Sequence, residues 1–252
     1  MIDYVKIEVF SHQFSKPILE NSLLKFDKKV SADGEIMNQT TTYKNMDIWV
    51  QGEVAIISGS LHKLWNGDDT NYNDFPFWAI RQTISDLANA LYFNPSEVSV
   101  LGLEYGLNIT PVLPVTEILR RTICYDWREP FESMKGMVGV GYGKQANLSN
   151  YRLKIYDKGL QNHIPNLLRV ENKTLRSVDL EGTGVNTLWD LTNVAVLAKL
   201  GDKLMRRFDD ILLYEDIDET LLNEKQRLFY REAKNPNYWK ELERWKRDDR
   251  KK

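Results

Sequence analysis

The polar and apolar positions change period several times along the chain. From Ile2 to Phe10, Val5, Ile7 and Val9 alternate with Tyr4, Lys6 and Glu8, the two-residue period of a strand with one buried face. Residues 11–35 are mostly polar and predict irregular chain closing in the turn signal Ala32-Asp33-Gly34. Met37–Tyr43, Asp47–Gln51 and Glu53–His62 read as consecutive strands joined tightly at Lys44-Asn45 and Gly52. At Phe77 the period lengthens. Phe77, Ile80, Ile84, Leu87, Ala88 and Leu91 fall on one face of a helix spanning Phe77–Phe93.

Glu97–Ile109 returns to a strand pattern, ended by Pro111 and Pro114, and Val115–Cys124 predicts a short helix. Gly136–Tyr142, Asn150–Tyr156 and Asn166–Thr174 predict three more strands. Thr187–Leu200 predicts a helix with Thr187 and Asp190 as a capping pair and Leu188, Leu191, Ala195 and Ala198 facing inward. Two further helices, Glu219–Ala233 and Pro236–Arg247, join at Asn235-Pro236. Strands, a helix, strands again and then helices predict an α+β fold with a central antiparallel sheet and flanking helices. The expected division is 1–180 as one α+β domain and 181–252 as a helical C-terminal extension.

Composition narrows the chemistry. One cysteine, Cys124, excludes an internal disulfide framework and a thiolate-built zinc site. His12, His62 and His163 stand far apart and leave no two-histidine zinc pattern. No apolar run nears the roughly 20 residues that span a bilayer, and Met1 leads into a strand pattern, not a signal peptide. The expectation is a cytoplasmic protein with no membrane partner. The net charge of -2 hides an uneven distribution: Lys225–Lys252 holds 11 Lys and Arg against 5 Asp and Glu, a basic end on an acidic body.

The glycines Gly136, Gly139, Gly141 and Gly143, followed by Lys144, fail the phosphate-loop spacing and precede a strand, so they read as a glycine-rich turn. Four strand-like stretches offer chemistry. In Asn150–Gly159, Arg152, Lys154 and Tyr156 share one face, and two cations beside a tyrosine suit a phosphodiester. Tyrosine is also a nucleophile that keeps a covalent hold on DNA, and Lys158 stands ready to stabilise the developing charge. The same pattern serves equally as a solvent-facing strand. In Leu101–Ile109, Glu104 and Asn108 share a face across Gly106 and suit a hard divalent ion. Ser58, Ser60 and His62 alternate on a third stretch. Arg169, Glu171 and Lys173 alternate on a fourth, to orient a ligand or to pair as an ion ladder.

At these residues the chain resembles rolling-circle replication initiators, the plasmid replication initiation factor family and the related gene II/X proteins of filamentous phages. Met1–Lys6 is similar to the gene II/X opening. Ser58–Gly67, running on to Asn73-Asp74-Phe75, resembles their Gly-Ser-x-x-Lys segment. Tyr151–Gly159 followed by Leu168–Lys173 resembles the pattern R-I-Y-[DE]-K-G … R-x-E-x-K, and the likeness covers roughly residues 1–175 in matching order.

The resemblance implies an HUH-endonuclease-like sheet and a metal-dependent nickase that joins a tyrosine to a 5′-phosphate and later rejoins the strand. Tyr156 would be the nucleophile, with Lys158 beside the scissile phosphate and Tyr151 the next tyrosine to consider. Glu104, Asn108, His62 and Glu171 would supply the ligands of Mg²⁺ or Mn²⁺. Arg152, Lys154, Arg169 and Lys63 would contact DNA; the basic end, outside the resemblance, adds Lys246 and Arg247 as phosphate contacts. The implied partner is an origin hairpin, single-stranded at the nick, in a bacterial host cell of a plasmid or phage. A host helicase, a polymerase and a second copy of the chain are further partners the resemblance allows. No His-hydrophobe-His pair is present, and Asn108 stands where a second carboxylate belongs. The other reading of the same chain is a DNA-binding protein of this fold without the chemistry, in which Tyr230, Arg231, Tyr238, Trp239 and Trp245 stack on bases or simply pack.

Overall fold

The computed structural model describes residues 2–67, 70–134 and 143–242. The strands and helices follow in chain order. Ile2–Phe10 (β1), Asp27–Val30 (β2), Ile36–Tyr43 (β3), Met46–Gln51 (β4) and Val54–Ser60 (β5) come first, followed by Leu61–Asn66 (α1) and Phe77–Leu91 (α2). Ser99–Ile109 (β6), Val115–Arg121 (α3), Thr122–Tyr125 (β7), Glu129–Pro130 (β8) and Glu132–Ser133 (β9) form the middle. Next are Gly143–Asn147 (β10), Tyr151–Asp157 (β11), Lys158–Asn162 (α4) and Leu168–Thr174 (β12). Val194–Asp209 (α5), Ile211–Leu213 (β13), Glu224–Ala233 (α6) and Pro236–Glu241 (α7) complete the described chain. The fold is α+β with antiparallel pairing. Among the described residues no helix is long and apolar enough to cross a membrane.

Two compact units form, each from three separated segments. The first holds Met1–Gly106, Ser149–Tyr151 and Lys173–Asp202; the second holds Leu107–Leu148, Arg152–Asn172 and Lys203–Lys252. The stretch 181–252, expected as one helical extension, is therefore shared between them.

In the first unit the strands run β2-β3-β4-β5-β1-β6. β1 sits between β5 and β6, pairing Ile7 with Ile57 on one side and Val5 with Leu103 on the other. Val5, Ile7 and Val9 are fully buried, so the two-residue period of the sequence is the period of the core. Gly59 is demanded by its neighbour: a Cβ there would meet the Asn45 carbonyl oxygen at 2.4 Å. α2 buries Ala79, Ile80, Ile84, Leu87 and Leu91 and ends at Tyr92, whose φ of 65° is left-handed. Phe77, expected on the inner face, is exposed because it opens the helix beside Pro76.

In the second unit β12, β11, β10 and β9 lie in that order, with the end of β6 beside β12. A separate small sheet, β13-β7-β8, carries the core of Ile123 and Cys124, covered by Trp239 of α7.

Several boundaries differ from the expected ones for local reasons. The third strand stops at Ser60, whose hydroxyl accepts the Lys63 amide and opens α1, so His62 is helical. Thr187 and Asp190 do form the capping pair, but on a short 3-10 turn, Leu188–Thr192. Asn193 then starts α5, which moves the inward face to Val196, Leu200 and Leu204 and leaves Ala195 and Ala198 exposed. Residues 122–124, expected to continue a helix, belong to strand β7. Asp27–Val30, expected as irregular, pairs with β3 as an edge strand. The expected strand Gly136–Tyr142 lies outside the described residues, as does the end of the last expected helix.

Candidate active site

The second unit gathers the tyrosine and its neighbours on two adjacent strands. Leu153 and Ile155 of β11 are fully buried on one face, so the alternation puts Arg152, Lys154 and Tyr156 on the other. β12 follows the same rule with Arg169 and Glu171. The two strands are linked around α4, where the Lys158 amide donates to the Leu167 carbonyl at 2.8 Å. Gly159 is needed at that turn, since a Cβ would meet the Ile164 carbonyl oxygen at 2.0 Å. Asp157 caps α4 by accepting the Leu160 amide at 3.1 Å.

Glu171 is the centre of the cluster. Its carboxylate is buried, and a carboxylate stays charged there only with donors around it. Lys154 Nζ donates to Oε1 at 2.6 Å. The Tyr156 hydroxyl donates to Oε2 at 3.1 Å, and Arg169 Nη1 stands 3.9 Å from the same oxygen. Arg169 is 1% exposed and its Nε donates to Asn108 Oδ1 at 2.7 Å. Lys158 is buried next in sequence to Asp157. On the other face of β12, Arg207 of α5 donates to Asn172 Oδ1.

The sequence brought Tyr156, Lys154, Arg169 and Glu171 to adjacent strands, and the structure places them in contact. Lys154 and Arg169, expected on DNA, both face Glu171: half-buried Lys154 and buried Arg169 neutralise a buried carboxylate. Arg152 is half-buried on β11. Lys63 is half-buried on α1 in the first unit. Lys246 and Arg247 lie outside the described residues.

The expected metal ligands are divided between the two units. Glu104 and His62 belong to the first unit, Asn108 and Glu171 to the second. Glu104 Oε1 is held by Lys173 Nζ at 2.5 Å, and Lys173 also lies over the Tyr4 ring. His62 is wholly buried, stacked on Phe75 at 4.8 Å, with Nε2 2.7 Å from Asn73 Oδ1. Asn108 accepts from a guanidinium, and both oxygens of Glu171 face cations. Among the described residues no three His, Cys, Asp or Glu side chains converge on a point. A divalent ion needs oxygens that are not already neutralised, so these donors as arranged do not fit one.

Among the described residues the C-terminal aromatics pack on one another and on the chain. Trp239 is 3% exposed, packs edge-on against Trp127 at 5.0 Å, and donates its Nε1–H to the Ala233 carbonyl. Tyr238 packs on Trp239, and Tyr230 donates to the Glu215 carbonyl at 2.6 Å. Lys234 lies over the Tyr230 ring at 4.0 Å. These residues are core and strut. Trp245 lies outside the described residues.

Two buried contacts of β12 are not legible in the sequence. Arg207 reads as a basic residue in the last turn of a helix, and its partner Asn172 is 35 positions away. Asn108 reads as a weakened metal ligand. Only the neighbouring strand reveals what each one holds.

No family model matches this chain, and no curated protein matches it. Among solved structures, it is similar to a rolling circle replication initiator protein from Geobacillus stearothermophilus. The TM-score is 0.46 and the identity 10%, over 93% of this chain and 96% of that one.

Proposed function

We propose that this protein cuts and rejoins single-stranded DNA through attack of Tyr156 on a phosphodiester, as an initiator of rolling-circle replication. The observation that carries the reading is the Tyr156 hydroxyl, 3.1 Å from a buried carboxylate, Glu171, with two cations around it. The sequence resemblance of Tyr151–Gly159 and Leu168–Lys173 to initiators bears on the same residues.

The chemistry follows from the contacts. Glu171 takes the phenol proton on Oε2 as the phenol oxygen forms its bond to phosphorus. The P–O3′ bond breaks, and the departing 3′ oxygen takes a proton from solvent. Lys154 and Arg169 outnumber Glu171 by one charge, which favours an anionic substrate and the charge of the five-coordinate transition state. A phosphotyrosine ester keeps the energy of the cleaved bond, so attack by a 3′ hydroxyl reverses the step. No step is assigned to a metal.

A second reading, DNA binding without cleavage, is favoured by one observation: Tyr156 is 6% exposed. Incubation of the protein with labelled single-stranded hairpins in Mn²⁺, followed by a denaturing gel, separates the two. The nickase gives a DNA–protein band that Tyr156→Phe abolishes and Tyr151→Phe retains. A band surviving Tyr156→Phe removes Tyr156 as nucleophile. Affinity for the hairpins with no band at all supports binding alone.

A further inference from the structure

We propose that Asn108 and Arg169 are positioning residues, which fix Glu171 so that one defined oxygen accepts the Tyr156 proton. The proposal rests on the nucleophile reading above and reassigns Asn108 from metal ligand to anchor.

The two oxygens of Glu171 are held separately. Lys154 on β11 holds Oε1, while Tyr156 and Arg169 share Oε2. Rotation of the carboxylate would exchange its cations, so its orientation is set as long as both stay in place. Lys154 sits opposite on the neighbouring strand and is carried by the sheet. Arg169 lies on the same strand as Glu171, two residues away, and its flexible side chain needs its own anchor. That anchor is Asn108. The guanidinium is planar, so a bond through Nε fixes the direction in which Nη1 points. Nε donates to Asn108 Oδ1 at 2.7 Å, and Nη1 then faces Oε2 of Glu171.

The chemistry of residue 108 fits this task. An amide oxygen accepts the bond and leaves the full charge of Arg169 directed at Glu171. A carboxylate at 108 would compete for that charge. The residue that looked one charge short for a metal has the right charge for an anchor.

The test uses the full chain and a single-stranded DNA hairpin that forms the adduct, at saturating protein, with the rate and the DNA affinity measured separately. Arg169→Gln and Asn108→Ala should each slow adduct formation at least about tenfold, the scale of one charge-assisted contact, while Asn108→Ala, which removes no charge, keeps affinity within about threefold. Asn108→Asp should also slow it by drawing Arg169 away. Because Asn108 acts through Arg169, the double variant should be no slower than Arg169→Gln alone. Multiplying losses, or an unchanged rate in Asn108→Ala, would overturn the proposal. Rates are compared per folded molecule, and Asn108→Ser, which keeps an acceptor, serves if Asn108→Ala does not fold. If the wild-type protein forms no adduct, the nucleophile reading fails and the positioning is read separately. ¹³C-labelled tyrosine spectra, with the Tyr156 signal identified by its loss in Tyr156→Phe, should then show that signal shifted by Asn108→Ala. A Tyr156 signal that does not move refutes the anchor.

Discussion

The two units invite comparison because each buries a polar cluster, and they carry opposite charge. The first has 11 Lys and Arg against 18 Asp and Glu, a balance of -7; the second has 23 against 18, a balance of +5. In the first unit the buried polar groups fasten chain segments. Ser60 and Asn71 both donate to the Asp3 carboxylate, and Asn66 and Asn73 exchange bonds beside His62. These contacts hold the chain after α1 against β1 and α1. In the second unit the cluster around Glu171 consists of full charges, with an ionisable phenol among them. In the first unit the Asp3 carboxylate is met by neutral donors, whereas in the second the Glu171 carboxylate is met by two cations and a phenol. Burial alone does not separate the two cases; the charge state of the partners does.

The comparison is sharpest where one partner is removed. Glu171→Ala leaves buried Arg169 and half-buried Lys154 without their carboxylate and should cost about 3–5 kcal/mol, measured by urea unfolding. Asn73→Ala in the first unit removes the partner of His62 Nε2 and should cost about 1–3 kcal/mol. Equal costs would mean that both clusters are structural.

Salt gives the next largest effect. DNA affinity should fall by about tenfold or more between 50 and 200 mM salt if the basic unit contacts phosphates. Reversing Lys28 and Lys29 on the edge strand of the acidic unit should change it by less than about twofold. A nearly flat salt response would break the assignment of DNA to the second unit.

Two smaller effects concern groups away from the site. The Arg120 side-chain bonds hold the carboxyls of Glu117 and Asp216 below their ordinary values. A depressed carboxyl stabilises the fold above its unfolded pKa and loses that contribution as pH falls through the folded value. The Tm difference between wild type and Arg120→Gln should therefore shrink in acid, and a difference that grows would contradict the pairing. Burial pushes the Cys124 thiol up to about 12. It should resist alkylation at pH 8 until the protein unfolds, as followed by mass spectrometry.

Much of the fold was legible because its strands alternate. β1 shows the period plainly, and α2 shows the helical one through Ile80, Ile84, Leu87 and Leu91. Boundaries were less legible where one residue served two elements. Ser60 ends a strand and caps a helix, so the alternation Ser58, Ser60, His62 looked continuous in sequence and is not in space. Asn193 divided what read as a single helix for the same reason. In the site, alternation placed Lys154 with Tyr156 and Arg169 with Glu171, since faces of a strand follow from position alone. It could not show that Lys154 faces a carboxylate and not solvent.

The sequence by itself determined the periods, the capping residues, and the faces on which Tyr156, Lys154, Arg169 and Glu171 lie. These are local consequences of backbone geometry, which each segment expresses without help from the rest. Only the tertiary structure decided which charges meet. Glu104 meets Lys173, Asn108 meets Arg169, and Trp239 meets Trp127 because distant segments share one interior, where each charge must find its opposite and each apolar ring its neighbour. Of the four expected metal ligands, Glu104 pairs with Lys173, Asn108 accepts from Arg169, His62 stacks on Phe75 and Glu171 accepts from Tyr156 for that reason.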